Sequence, residues 1–432
     1  MFTRLGFSSI LAGAVVLAAS SAGFAGETTV DLKGAVVVNL PSAGAEPVAF
    51  KTADGKEGWV CKISNEALPT PAYAKGRIFT GGGYGSRTFL AMDSASGKTI
   101  WSMPTQDNGP TSPVATDDNV AYNTESCHTE VREYSTGKMK WSEVTGGTLL
   151  TQPLIFQNAL VIPHPTMSRE RGADTRFRML AVDLKSYKHA WDIDMPGDVL
   201  SAPVATEKAV YFTCTDGHLM ATSVFNGENF WTTNAKATSA PVVVGELLAV
   251  TTEVTVSGQT KVGIKLYDAF SGEPKETPLL ASTAVSGALD KKESASWDYQ
   301  GPKIAATKTQ LFNAPGNTVN AVNIKEAKAA WQVSVKADGL GNNANSLTPP
   351  ALGKENVYVG SASGHVFALK QSDGSLTMAY KFSDPLVSQP ILADGNIYFG
   401  TTTGKIVCLK LASKDATDWH AWGGNVGHNK VD

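Results

Sequence analysis

The chain has 432 residues, with 37 Lys+Arg against 40 Asp+Glu and a formal net charge of −3 at pH 7. So mild an acidity leaves no electrostatic footprint for nucleic acid, which is excluded as a partner class. Beyond the first residues no stretch offers roughly 18 uninterrupted apolar residues, so no transmembrane segment is expected, and the 41 glycines favour short strands and turns over helices.

In chain order, residues 1–25 read as a secretory signal peptide. Arg4 supplies the positive start, Ile10 to Ala19 the apolar run, and Gly23-Phe24-Ala25 the small-residue end, so cleavage is expected after Ala25. The mature protein is then periplasmic or secreted, and no cysteine stands there to take a lipid. Residues 26–58 form an N-terminal segment leading into one strand, Gly55-Lys56-Glu57-Gly58-Trp59.

From there the chain repeats itself about every forty residues, a period that narrows the choice to propellers and solenoids. The clearest unit opens at Pro350, continues through Val357-Tyr358-Val359-Gly360, turns at Gly364, runs Val366-Phe367-Ala368-Leu369, and turns again at Asp373-Gly374. It reads as four strands: proline is tolerated where the first begins, alternating apolar residues make the next two, and Asp-Gly turns into the last. The frame recurs from Pro71, Pro113, Pro153, Pro203, Pro241, Pro302, Pro350 and Pro390, which gives eight units. The eighth stops after Leu411 without a fourth strand, and the stretch around Trp59 is a fourth strand with nothing before it to complete. Joining the two yields an all-β, eight-bladed β-propeller of four-stranded antiparallel blades over 59–411, closed so that no sheet edge is left open at the join. Trp59, Trp101, Trp141, Trp191, Trp231 and Trp331 fall on outer strands as wedges between blades, with Tyr380 in that role in the seventh unit. Residues 412–432, with His420, His428, Trp419 and Trp422, are expected as a C-terminal tail packed across the outside of the ring.

An apolar pair, Gly, Ala-x-Asp, Gly and Trp in each unit resembles the repeat of the pyrroloquinoline-quinone (PQQ) propeller superfamily, from Trp59 to Leu411. That superfamily includes quinoprotein dehydrogenases and an outer-membrane assembly propeller, so the resemblance implies the fold and leaves the activity to be argued from sites. The dehydrogenases imply PQQ with Ca²⁺ and, in many, adjacent cysteines against the quinone. Cys61, Cys127, Cys214 and Cys408 are all separate, and no local motif supplies the calcium ligands or a catalytic aspartate. No cofactor and no catalytic residue are therefore expected, with a PQQ-dependent oxidoreductase as the alternative reading. Asp93, Asp183 and Asp268 recur at one turn position and read as turn residues.

Four cysteines in an exported chain suggest disulfides. Cys61 and Cys408 would lie on neighbouring strands of the closing blade, where a bond would staple the ring, although the register sets Cys61 about three residues from the position opposite Cys408. The pairing is left open. Cys127-His128, Cys214 with His218, and His365 sit near equivalent turns of non-adjacent blades, which makes a metal-binding protein a second alternative and a shared metal site an unfavoured one.

Two departures from the repeat carry the functional expectation, because loops on a rigid scaffold commonly bind. The insertion from His164 to Arg178 brings Arg169, Arg171, Arg176 and Arg178 together, forked donors suited to carboxylate or phosphate. The second is the drawn-out fifth unit, Thr252 to Gln300. Before the opening prolines stand Ser112, Gln152, Ser201, Ser239, Thr348 and Gln389, a polar ring at the channel mouth. The expectation is a monomeric, non-catalytic scaffold that docks a protein or peptide on its loop face.

Overall fold

A computed structural model describes residues 28–125, 128–146, 151–165, 177–256, 259–275, 303–343 and 346–431. The signal sequence and its cleavage site, Cys127, Arg169, Arg171, Arg176 and most of the link ending at Gln300 lie outside the described residues. Eight sheets stand in chain order around one axis. Blade one is representative: Ala72–Ala74 lines the channel, followed outward by Arg77–Gly81, Thr88–Asp93 and Thr99–Pro104, each antiparallel to the last.

The tryptophan and the turn glycine of the repeat are two halves of one contact. Trp59 of the closing blade donates its indole N–H to the Ser94 carbonyl of blade one at 3.1 Å, and a Cβ placed on Gly97 would meet the same ring at 2.6 Å. Gly97 has φ 73°, the left-handed region where glycine carries no penalty. The pattern is repeated by Trp101 with Tyr134 and Gly137, Trp191 with Val224 and Gly227, Trp231 with Ala269 and Gly272, and Trp331 with Gln371 and Gly374. Each of these indoles thus satisfies its own polar atom while sealing one blade to the next.

The exceptions follow the same logic. Counting four residues on from Gly272, blade five has Glu276 where blade one has Trp101. Blade six, which would receive that indole, carries Ala327 at φ 49° in place of glycine. Blade three carries Tyr187 at φ 55° there, and the Trp141 facing it is only half-buried. In blade seven the residue opposite Ala368 is Met378, as Trp101 is opposite Ala91, so Tyr380 does not hold the wedge position. Its hydroxyl instead donates to Asp54 at 2.7 Å.

The ring closes as the sequence implies. Glu57–Lys62 pairs antiparallel with Lys405–Lys410, with Trp59 opposite Cys408, and supplies the fourth strand of blade eight. The preceding residues do more than lead in. Thr28–Asp31 adds in parallel to the outer strand of blade six and Val36–Val38 to that of blade seven, while Val48–Lys51 adds antiparallel to the closing strand itself. Three successive blades thereby gain a fifth strand that covers an outer edge. Cys61 and Cys408 are free, buried thiols. Cys61 stands opposite Ile406, two residues from Cys408 on the same face, and such diagonal neighbours are roughly 7–8 Å apart, beyond disulfide reach. The staple considered for this pair is therefore not formed.

The C-terminal tail corrects the expectation most. Rather than crossing the outside, it makes one circuit inside the channel mouth opposite the loop face. Asp415 accepts from Asn356 and Tyr358 of blade seven, and Trp419 pairs with Leu392 of blade eight. The His420 carbonyl takes the Tyr73 N–H of blade one, and Ala421 shares a buried cluster with Ala115 and Val120 of blade two. Val426, Gly427 and Asn429 then bond Ile155, Ala205 and Val243 of blades three, four and five, and Val431 bridges Ala306 of blade six. Inner strands of a propeller end with unpaired backbone groups facing the axis, and the tail satisfies them.

Candidate functional site

The loop face carries the turns between second and third strands and the connections into each channel strand. Two hairpins are longer than the rest. In blade three, Ala159–Pro165 and Phe177–Asp183 flank the arginine-rich insertion; in blade five, Leu247–Val256 and Gln259–Asp268 run ten residues each. Both turn on the loop face, and blade four lies between them in ring order.

Among the arginines chosen from the sequence, Arg178 is described. Its guanidinium holds Asp192 and Asp194 of the adjacent strand, each at 2.8 Å, so it anchors the base of the hairpin and is not free to meet a partner. His164 is buried on the opposite strand, with Nδ1 3.3 Å from the Pro165 carbonyl and Nε2 lacking a partner among the described residues. Burial holds its pKa below the ordinary histidine range. It belongs to the hairpin's packing rather than to an accessible surface.

Blade four contributes acids that the sequence reading passed over. Asp198 is half-buried, and its partial desolvation pushes the carboxyl up to about 6, opposed by the Val199 N–H that it accepts at 2.8 Å. Beside it Asp216 pairs with His218 at 2.7 Å, and Cys214 is a buried thiol pushed up to about 12, chemically inert at neutral pH. Asp93, Asp183 and Asp268 do act as turn residues, each accepting backbone N–H groups two or three residues ahead. Among the described residues no three His, Cys, Asp or Glu side chains gather as a metal site.

The polar ring at the channel mouth is fully buried. Several members tie down turns: Thr348 accepts from the Gly360 N–H at 2.8 Å, Ser239 from the Thr251 N–H at 2.9 Å, and Ser201 takes φ 64° while its carbonyl receives the Gln152 N–H. Gln389 donates to the Pro350 carbonyl and accepts from Gly423 of the tail. Ser112 is buried in the same ring. Gln152 differs, because neither its side-chain nitrogen nor its oxygen finds a partner among the described residues.

The frame of blade six is one residue off the sequence reading. Ala305 pairs with Phe312 as Val114 pairs with Ala121, so Ile304 replaces the opening proline and Lys303 takes the ring position of Gln152 and Gln389. A bridge between Ala240 and Lys303 confirms that alignment. Lys303 donates to the Pro241 carbonyl and sits 5.6 Å from the centre of the Trp422 ring. Trp422 reaches Ala202 and Ala240 of blades four and five, while the next residue, Gly423, is bonded to Gln389 of blade eight on the far side. The indole therefore crosses the axis.

A family model described as outer membrane protein assembly factor BamB matches residues 11–162, 172–290 and 279–430. No curated protein matches the chain. Among solved structures, a computationally designed protein, Ika8, aligns at 15% identity over 81% of this chain and 99% of its own, TM-score 0.61. BamB from Moraxella catarrhalis aligns at 14% identity over 84% and 100%, TM-score 0.58. A quinohemoprotein alcohol dehydrogenase from Comamonas testosteroni aligns at 12% identity over 82% and 77%, TM-score 0.56. Identities this low speak for the fold alone. The matched residues span nearly the whole chain, and the protein belongs to the PQQ-repeat propeller family described as outer membrane protein assembly factor BamB.

Proposed function

We propose that this periplasmic propeller is a non-catalytic scaffold that docks a protein or peptide partner on its loop face, over blades three to five. The observation that carries the reading is the asymmetry of the two faces. One channel mouth is sealed by a circuit of the chain's own tail, while the other bears two lengthened hairpins flanking the acids of blade four. The family's description as an assembly factor agrees with such a role. The paired arginines Arg169 and Arg171 of the insertion are the expected contacts to acidic groups on the partner. Among the described residues no helix is long and apolar enough to cross a membrane.

A quinone-dependent reaction has less support. Trp422 crosses the axis between Gln389 and Ala202, which weighs against a flat tricyclic cofactor at that level of the channel. The three described cysteines are separate buried thiols. Affinity capture from a periplasmic extract tests the reading. The wild-type protein is expected to retain a specific protein that Arg169→Ala with Arg171→Ala loses at least ten-fold. Equal capture by both, or capture of nothing alongside turnover of an alcohol after addition of PQQ and Ca²⁺, would reject it.

A further inference from the structure

The channel holds an imbalance of charge and hydrogen bonding. Lys303 is fully buried with one carbonyl partner and, among the described residues, no carboxylate beside it, and burial pulls its pKa down to about 7. His428, fully buried in the tail, places Nδ1 2.8 Å from the Trp422 carbonyl and Nε2 2.9 Å from the Pro153 carbonyl. Two carbonyl acceptors are both satisfied only by the doubly protonated imidazolium, since the neutral ring has a single N–H. Burial, with Lys303 nearby, nevertheless pushes His428 down to about 4 despite both carbonyls, so at neutral pH one of them faces an unprotonated ring nitrogen. The Trp422 ring lies against both Lys303 and His428 while its N–H has no acceptor among the described residues, and the Gln152 amide, on the other flank across the Ala202 and Ala240 positions, has no partner for either atom among them. Buried donors without acceptors and a buried cation without a counter-charge are each costly, and here they occur together.

We propose that the channel beside Lys303 binds one small monoanion, chloride or a short carboxylate, held by the Lys303 ammonium and the Trp422 indole N–H with the Gln152 amide as a further donor. One anion supplies the missing acceptor and counter-charge, and the indole crossing the axis restricts its size. Because Trp422 belongs to the tail and Lys303 and Gln152 to the ring, the anion ties the tail into the channel. Its binding is coupled to tail docking, independently of what the loop face recognises.

The test is thermal unfolding of the full mature chain in gluconate buffer at constant ionic strength, titrated with chloride or with acetate. Hydrogen exchange of residues 415–431 is followed in parallel. The wild type is expected to show a saturable rise in melting temperature and at least ten-fold slower exchange in the tail, and the anion that saturates at lower concentration identifies the ligand. Lys303→Met should abolish both responses, and Trp422→Phe, which keeps the packing and removes the N–H, should weaken apparent affinity roughly ten-fold. If Lys303→Met does not fold, the Trp422→Phe arm decides alone. A rise absent in the wild type, or unchanged in the folded variants, overturns the proposal.

Discussion

At the scale of single residues, the tryptophan and glycine of the repeat explain each other, and their energetic weight is open to measurement. Trp231 is a half-buried wedge bonded to the Ala269 carbonyl. Trp231→Ala is expected to cost about 3 kcal/mol in urea unfolding, the low end for loss of a large aromatic. Gly272→Ala should destabilise too, since its Cβ would meet the same indole at 2.4 Å with φ 72°. Among the contributions to the pH dependence, two oppose each other in one window. His428 is depressed from 6.5 to about 4 in the folded protein, so the unfolded chain binds its proton first, and stability is lost as pH falls from 6.5 toward 4. Asp198 is raised from 3.8 to about 6, so its protonated form favours the fold, and stability is lost as pH rises through the same window. Asp198→Asn removes the second contribution, and melting temperature in the variant should climb more steeply between pH 4.5 and pH 6.5 than in the wild type. These residues were unequally legible. The tryptophans announce themselves by spacing, whereas Asp198 sits in a connection with no periodic signal, and Lys303 was hidden by taking Pro302 as the start of blade six.

At the scale of elements, the strands that repeat were readable and those that do not were missed. The closing pair was legible because an incomplete hairpin after Leu411 and an orphan strand at Trp59 imply each other. Val36–Val38 and Thr28–Asp31 gave no such hint: a short strand added in parallel to an outer edge needs only backbone complementarity. The tail was misplaced for a similar reason, because its bonds to the inner strands are mostly main-chain and leave little side-chain pattern. Only Trp419 and Trp422, large and fully buried, could have signalled an interior path. Truncation after Leu411 is expected to lower stability by more than about 3 kcal/mol, since it removes both buried indoles, and the shift in urea midpoint would register it. Addition of a thiol reductant should leave the melting temperature unchanged, since Cys61 and Cys408 are offset by two residues and unbonded.

At the scale of the whole molecule, the chain uses both ends to hold a ring. The N-terminal strand completes blade eight and covers three outer edges, and the C-terminal tail ties the inner strands from blade seven round to blade six. The loop face with its two long hairpins is the surface proposed for recognition. The partner surface was the least legible part of the sequence, because insertions depart from the repeat without stating what they bind. The most direct measurement is photo-crosslinking in the periplasm from matched positions on the two faces. A reactive residue at Lys261 on the blade-five hairpin is expected to capture a discrete partner protein, and one at Lys414 in the tail none. Capture from Lys414 alone, or equally from both, would contradict docking on the loop face.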